Sequence, residues 1–180
     1  MKVVEDGVDV AGLMLVRYWA ETHPTKPAFI LFSPHNKRWD TVTFRQLSDT
    51  THRLIRGLQA CRAETGMRAA LMIPPSTDFF ALAFALLKLG IIPIVVDPAI
   101  GLKNITTCLK ESEPDIFIGN TITHFLRRIY GWGKGTVKIN TSIPSLLRIT
   151  HDELHNTLHL PQLFPSSAAI IYTKSWPAYA

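Results

Sequence analysis

The sequence predicts an α/β fold, with a mostly parallel β-sheet and helices on both of its faces. Continuous apolar runs rich in Val and Ile, such as IIPIVV and DIFIG, alternate along the chain with segments of helical periodicity. Strands that are buried on both faces have this composition, and they occur in parallel sheets covered by crossover helices. At 180 residues, 47% hydrophobic and 18% charged, the chain is long and apolar enough for one domain with a sizeable core.

The first third of the chain predicts two helices with two strands between them. A helix covers residues 8–22 and stops before Pro24, and the segments PAFILFS and WDTVTF form two strands joined at PHNKR. Thr43 opens the second helix, with Gln46 three residues later, which is the spacing of a capping box. Apolar residues recur at helical spacing after it, so one face of this helix is expected to be buried.

The remaining elements alternate between strand and helix. In order they are MRAALMIP (strand), residues 77–89 (helix), IIPIVVD (strand), residues 102–112 (helix), DIFIG (strand), residues 121–130 (helix), GTVKI (strand) and AAIIYT (strand). The run from Phe79 to Val96 approaches the length of a membrane span, but Lys88 lies within it, where a charge costs about 2.5–3.5 kcal/mol on insertion. A buried helix that ends at Gly90, followed by a buried strand, explains the run better, so no membrane span is expected.

The distribution of charge argues against a nucleic-acid-binding protein, and the two cysteines argue against a disulfide framework or a metal site. The chain has 19 Lys and Arg against 14 Asp and Glu, a net charge of +5, but these charges are scattered instead of forming the dense basic stripe of a nucleic-acid interface. Cys61 and Cys108 are far apart, and each lies in an apolar helical pattern, as expected of core residues in a reducing compartment. We therefore expect a cytoplasmic protein that does not bind nucleic acid.

Two local motifs partly resemble binding sites, one a phosphate-binding loop and the other a metal site. The segment GWGKGT lacks the Gly-Lys-Ser/Thr order of a phosphate-binding loop, so it is interpreted as a turn before a strand. His151, His155 and His159 are spaced by four residues and could bind a metal from one helix face. The alternative for this segment is an exposed polar helix, which Thr150 and Glu153 would cap.

Ligands of open parallel sheets bind outside the carboxyl ends of the strands. The candidate loops are therefore residues 74–76, 97–98 and 119–120 and, above all, the segment from Thr173 onward. Aspartates stand singly at element ends, where capping and turns explain them. The residues alone yield no catalytic set.

Four segments, in order, resemble the adenylate-forming enzymes, a superfamily that includes acyl-CoA synthetases, the adenylation domains of peptide synthetases and luciferases. VTFRQL is similar to a short motif near the start of these enzymes, and LLKLGIIPIVVDP to a lysine-x-glycine helix end followed by a strand that ends in Asp-Pro. The segment from Gly101 to Thr136 resembles the branch that contains olefin β-lactone synthetases and fatty-acid–CoA ligase-like proteins. AAIIYT is similar to the strand that introduces the family's phosphate loop.

The resemblance implies an N-terminal domain of the adenylate-forming fold, and a reaction in which a fatty acyl carboxylate is joined to AMP from ATP with Mg²⁺. It assigns no catalytic residue to this chain. Thr173 matches the first residue of the nucleotide-binding phosphate loop, and no residue after it can be aligned with that loop. Residues 174–180, which begin Lys-Ser-Trp-Pro, replace that loop with a segment that has no glycine. We therefore expect a truncated N-terminal α/β subdomain at residues 1–173, an aberrant tail at 174–180, and an inactive chain that binds no cofactor by itself.

Two alternatives remain open at this stage. The chain could be a docking subunit that a separately encoded C-terminal fragment completes, or a non-catalytic acyl-binding module. On the fragment interpretation, apolar surface is expected to be exposed near Phe79–Phe80 and Ile170–Ile171.

Overall fold

The computed structural model describes residues 2–4, 10–33, 37–97, 100–148 and 169–172. Six helices and eight strands lie within them. In chain order they are β1 (Lys2–Val4), α1 (Val10–Thr22), β2 (Pro27–Ser33), β3 (Arg38–Thr43), α2 (Phe44–Ala60), β4 (Arg68–Met72), α3 (Thr77–Lys88), β5 (Ile92–Val96), α4 (Leu102–Ser112), β6 (Ile116–Gly119), α5 (Thr121–Tyr130), β7 (Ile139–Thr141), α6 (Ile143–Arg148) and β8 (Ala169–Tyr172).

Six of the strands form one sheet, in the order β1-β8-β5-β4-β6-β7, and β2 with β3 forms a separate antiparallel hairpin. From β8 to β7 all neighbouring strands are parallel, and β1 alone is antiparallel, on the outer side of β8. The predicted α/β fold with a mostly parallel sheet is confirmed.

The start of α2 shows how closely local sequence can determine structure. The Thr43 hydroxyl accepts a hydrogen bond from the Gln46 N–H at 3.3 Å, and the Gln46 side chain accepts one from the Thr43 N–H at 2.9 Å. The predicted capping box is therefore present. It fixes the position at which the chain leaves the hairpin and enters the helix that covers the sheet.

Helices lie on both faces of the sheet, each over its own apolar core. On the first face α2, α3 and α6 pack over one side of β4 and β6, where Ala69, Leu71, Ile116 and Ile118 are buried. On the second face α4 and the turn after α5 cover the alternate residues of the strands, through Ile105, Leu109 and Trp132. Successive strand residues point to opposite faces, so both sides of these apolar strands are removed from water.

Gly90 separates α3 from β5, as the sequence predicts. It has a φ of 66°, a left-handed conformation that glycine adopts without steric cost, and the Ile91 N–H then donates to the Leu86 carbonyl at 2.9 Å. The apolar run from Phe79 is thus a helix followed by a strand. No helix in the described part of the chain is both long and apolar enough to cross a membrane.

Three elements differ from the prediction. The strand predicted at GTVKI begins only at Ile139, because residues 131–136 form a turn and the pairing with β6 starts where the Asp115 carbonyl accepts the Ile139 N–H at 3.1 Å. Helix α6 and strand β1 were not predicted. With six and three residues, they are too short to show a periodicity in the sequence.

Candidate functional site

The carboxyl ends of the parallel strands lie along one edge of the sheet. The chain leaves β4 toward α3 on the first face, whereas it leaves β5 and β6 toward α4 and α5 on the second face. Adjacent strands whose connections depart to opposite faces leave a crevice between the loops, and this is where open α/β sheets bind their ligands. The crevice is expected beside the end of β4, flanked by the ends of β5 and β6.

Polar side chains in the predicted loops at this edge are used to cap helices. Ser76 Oγ accepts a hydrogen bond from the Phe79 N–H at 3.2 Å at the start of α3. Asn120 Oδ1 accepts one from the Thr123 N–H at 2.9 Å, and Thr123 Oγ1 accepts the Asn120 N–H at 2.9 Å in return. The loops at 74–76 and 119–120 therefore have a structural role that explains these residues without a ligand.

The loop after β5 lies beside the end of β8. Val96 is in register with Tyr172, and Ile94 with Ile170, so β5 and β8 end side by side at the carboxyl edge of the sheet. Asp97 follows β5 directly, and its carbonyl accepts a hydrogen bond from the Ile100 N–H at 3.2 Å. Thr173, the residue predicted to begin the nucleotide site, lies outside the described residues. The strand that precedes Thr173, β8, ends at the carboxyl edge of the sheet, where the sequence predicts a ligand.

Lys88, in the second of the resembling segments, lies at the other end of the sheet. It is the last residue of α3, and its Nζ is 3.4 Å from Nε2 of His52 on α2. Partial burial, together with the positive charge of Arg17, lowers the pKa of the Lys88 amine. In this chain the lysine therefore belongs to the contact between α2 and α3, far along the helix from the carboxyl edge.

Asp115 joins three strands at the amino edge of the sheet, a role that the sequence does not reveal. Its Oδ2 accepts the Arg68 N–H at 3.0 Å and its Oδ1 accepts Lys138 Nζ at 2.9 Å. Burial alone would raise the pKa of the Asp115 carboxyl, but the hydrogen bonds from Lys138 and Arg68 and their charges outweigh it, so the pKa lies below its usual value. The partners are remote in sequence, so no local spacing could have indicated them.

The turn predicted at GWGKGT is confirmed, and it also forms one wall of a cleft. Residues 131–136 face the second half of α4 across a cleft of about 390 Å³. Trp132 is buried in the wall and its Nε1 donates a hydrogen bond to Thr106 Oγ1 at 2.8 Å. The Tyr130 and Trp132 rings stack with centroids 5.7 Å apart. This cleft lies on the second face, toward the amino ends of the strands.

No metal or nucleotide site can be built from the described residues. His151, His155 and His159 lie outside them, and within them no group of three or more His, Cys, Asp or Glu side chains could hold a metal ion. Residues 73–76, 97 and 119–120, which leave the ends of β4, β5 and β6, contain no Lys or Arg to offset phosphate charge. ATP with Mg²⁺ therefore does not fit the described residues of this edge by themselves.

Comparison with known proteins places the chain by sequence and by fold. A relative, the olefin beta-lactone synthetase of Stenotrophomonas maltophilia (strain K279a), is 36% identical over 101 residues, which make up 56% of this chain and 18% of the relative. The chain thus matches about a fifth of that protein's length.

Two solved structures share the fold. The N-terminal domain of FACL13 from Mycobacterium tuberculosis, with an inhibitor bound, has a TM-score of 0.65 at 20% identity, over 84% of this chain and 36% of that one. O-succinylbenzoate coenzyme A synthetase (MenE) from Bacillus subtilis, in complex with ATP and magnesium ion, has a TM-score of 0.60 at 17% identity, over 75% of this chain and 34% of that one.

The strongest assignment comes from the family model. The model of the AMP-binding enzyme family matches residues 16–173, a range that runs from α1 to the residue after β8 and includes the whole parallel part of the sheet. The chain therefore belongs to the AMP-binding enzyme family.

Proposed function

We propose that this chain is the N-terminal part of an ATP-dependent acyl-adenylate-forming enzyme, which activates a fatty acid or a 3-hydroxy fatty acid toward an acyl-CoA or a β-lactone. One observation carries the proposal. The strand that introduces the family's phosphate loop, β8, is parallel to β5 and ends beside Asp97 at the carboxyl edge. The identity to an olefin beta-lactone synthetase supports the acyl substrate, and the likeness to a synthetase that holds ATP and magnesium ion supports the cofactors.

We further propose that residues 1–173 are the family domain and that residues 174–180 stand in place of its phosphate loop. A loop that wraps phosphate needs glycines, so that backbone N–H groups can approach closely. Lys174-Ser175-Trp176-Pro177 has no glycine, and Pro177 has no N–H to donate. On this proposal the chain alone binds no cofactor, is inactive and, with its unpaired cysteines, is cytoplasmic.

The test is an exchange assay with labelled pyrophosphate, which reports formation of an acyl-adenylate, across medium- and long-chain fatty acids and their 3-hydroxy forms. The chain alone is expected to give no exchange. Residues 1–173 joined to the part of the S. maltophilia relative that follows its matching strand, phosphate loop included, are expected to give exchange.

A matched control keeps residues 174–177 of this chain in place of the relative's phosphate loop. It is expected to fold and to be inactive, because only the loop differs. Exchange by the chain alone would contradict the proposed inactivity. A folded chimera that carries the relative's loop and exchanges with none of these acids would contradict the assignment as an acyl-activating domain.

The alternative, a docking subunit completed by a separate polypeptide, has one structural observation in its favour, the exposed apolar face of α5. It predicts exchange when the chain and the relative's downstream part are mixed as two proteins.

A further inference from the structure

The cleft between α4 and the turn after α5 has the size of a small-molecule site. Its volume of about 390 Å³ lies within the range of about 300–1,000 Å³ that is typical of ligand pockets. It is on the second face, toward the amino ends of the strands, and therefore apart from the carboxyl edge where the phosphate loop is expected. The chemistry of its walls indicates what it binds.

One wall of the cleft is aromatic and held in place. Trp132 is buried, and the hydrogen bond from its indole N–H to Thr106 Oγ1 at 2.8 Å fixes the orientation of its ring. The Tyr130 ring is stacked on the Trp132 ring, with 19° between the two planes, and 43% of Tyr130 is exposed. A flat ring in the cleft can extend this stack, because aromatic rings gain from offset stacking. The wall therefore favours an aromatic ligand.

Two polar groups of the lining have no partner in the described part of the chain. The turn is closed by hydrogen bonds from the Lys134 N–H to the Gly131 carbonyl at 3.0 Å and from the Thr136 N–H to the Gly133 carbonyl at 3.2 Å. The Gly133 N–H has no acceptor there, and Thr136 Oγ1 is buried without a partner. Buried polar groups almost always have partners, so these two donors indicate a ligand that carries acceptor oxygens.

The charged residues of the lining indicate the charge of that ligand. Lys110 on α4 and Lys134 on the turn lie on opposite walls, and neither forms an ion pair with another described residue. Glu113 is the single acidic residue among the described residues that line the cleft, so two lysines and one glutamate give it a net charge of +1. This balance matches a monoanion better than a doubly charged phosphate.

We propose that this cleft is a binding site for a small aromatic monoanion. The ring of the ligand extends the stack of Tyr130 and Trp132, and its anionic group lies between Lys110 and Lys134, where the Thr136 hydroxyl can donate to it. The cleft shares no residue with the loops at the carboxyl edge. The proposal therefore goes beyond acyl activation and can fail independently of it.

The test uses 2-naphthoate, an aromatic carboxylate, as the probe for the full 180-residue chain with isotopically labelled tryptophan. The chain has four tryptophans, so the indole N–H signal of Trp132 can be assigned by elimination in nuclear magnetic resonance spectra of Trp19→Phe, Trp39→Phe and Trp176→Phe. Naphthoate is expected to shift the Trp132 signal saturably and to leave those of Trp19 and Trp39 in place. The neutral 2-naphthamide has nearly the same shape and is expected to bind at least about tenfold more weakly.

A pair of double variants tests the charge. Lys110→Gln with Lys134→Gln is expected to weaken naphthoate binding about tenfold, because two exposed cations each contribute modestly to the attraction. The matched control, Lys103→Gln with Arg128→Gln, removes the same charge from exposed positions on α4 and α5 that do not line the cleft. Its affinity is expected to stay within about twofold of the wild type.

Thr136→Val separates a ligand-binding hydroxyl from a structural one. The free chain loses no hydrogen bond of this hydroxyl, so its melting temperature should be equal to or higher than that of the wild type, while naphthoate binding weakens at least about threefold. A lower melting temperature with unchanged affinity would contradict the proposed role of Thr136.

The proposal as a whole would be overturned by the absence of a saturable shift at Trp132. Equal affinity for naphthoate and naphthamide would overturn it too, since the site would then not recognise an anion, and so would equal losses in the two double variants. Parallel shifts of the Trp19, Trp39 and Trp132 signals would show that the probe adheres to apolar surface in general, which also contradicts a specific site.

Discussion

Gly57 lies in the last turn of α2, where the helix packs against α6. Its replacement by alanine sets two effects of opposite sign against each other. In a helix interior, alanine is about 0.8–1.0 kcal/mol more favourable than glycine. A Cβ at this position, however, would lie 2.9 Å from the carbonyl carbon and 3.0 Å from the Cα of Leu146, and closer still to the Leu146 carbonyl oxygen. Carbon atoms in favourable contact are about 3.5–4.0 Å apart.

The steric effect should prevail, because the opposing atoms are backbone atoms that cannot rotate away. Forcing one extra carbon into a packed interface costs about 1–3 kcal/mol, occasionally more. With rigid neighbours at these distances we take the upper end of that range and subtract the helix-propensity gain. The expected net loss for Gly57→Ala is about 2 kcal/mol in the free energy of unfolding.

Urea denaturation followed by far-ultraviolet circular dichroism measures this loss. The control is a pair of variants at Asp49, an exposed position of the same helix. The difference in stability between Asp49→Gly and Asp49→Ala gives the helix-propensity difference between glycine and alanine without a steric contact. If Gly57→Ala equals or exceeds the wild type in stability, α6 yields to the methyl group and the close packing of the two helices is not rigid.

The remaining predictions concern Asp115 and Trp132. Because the pKa of Asp115 is lowered in the folded state, its stabilising effect is complete above about pH 4, the unfolded value, and is lost as the pH falls through the lower folded value. The stability difference between the wild type and Asp115→Asn, measured by urea denaturation from neutral to acid pH, should therefore shrink on acidification; a difference independent of pH would refute the role of the carboxylate charge. Thr106→Val leaves the buried Trp132 N–H unpaired and should cost about 1–3 kcal/mol. Thr107→Val, on the exposed neighbouring threonine, is the control and should cost less than about 0.5 kcal/mol; equal losses would show that the indole hydrogen bond adds no stability.

Local signals in the sequence were sufficient where the structure depends on neighbours along the chain. The capping box at Thr43 and Gln46 and the helix end at Gly90 were predictable, because each is completed within a few residues. Helix α4 was predicted with the bounds that it has, from its apolar spacing alone. The same reasoning failed at β7, where a glycine-rich turn occupies the beginning of the predicted strand.

Orientation could not be predicted, because it depends on contacts remote in sequence. The spacing of Ile122, Phe125 and Ile129 predicts an amphipathic helix, but it does not say which side meets the sheet. Exposed apolar surface was expected at Phe79 and Phe80, yet these rings are half-buried, and Phe80 stacks on Phe29 with centroids 5.0 Å apart. The large exposed apolar side chains lie mostly on α5 and on the β2–β3 hairpin instead.

The pairing of β1 with β8 has a consequence for synthesis of the protein. Lys2 is in register with Ile171, so β1 leaves the ribosome 169 residues before its sheet neighbour (171 − 2). At about 5–20 residues per second, β1 waits on the order of 10 to 30 s before that neighbour exists. During this interval β4, β5 and β6 can already pair with one another, whereas the outer part of the sheet must close late. A nascent chain stalled before residue 169 should therefore protect the amides of the central strands from hydrogen exchange while leaving Lys2–Val4 open.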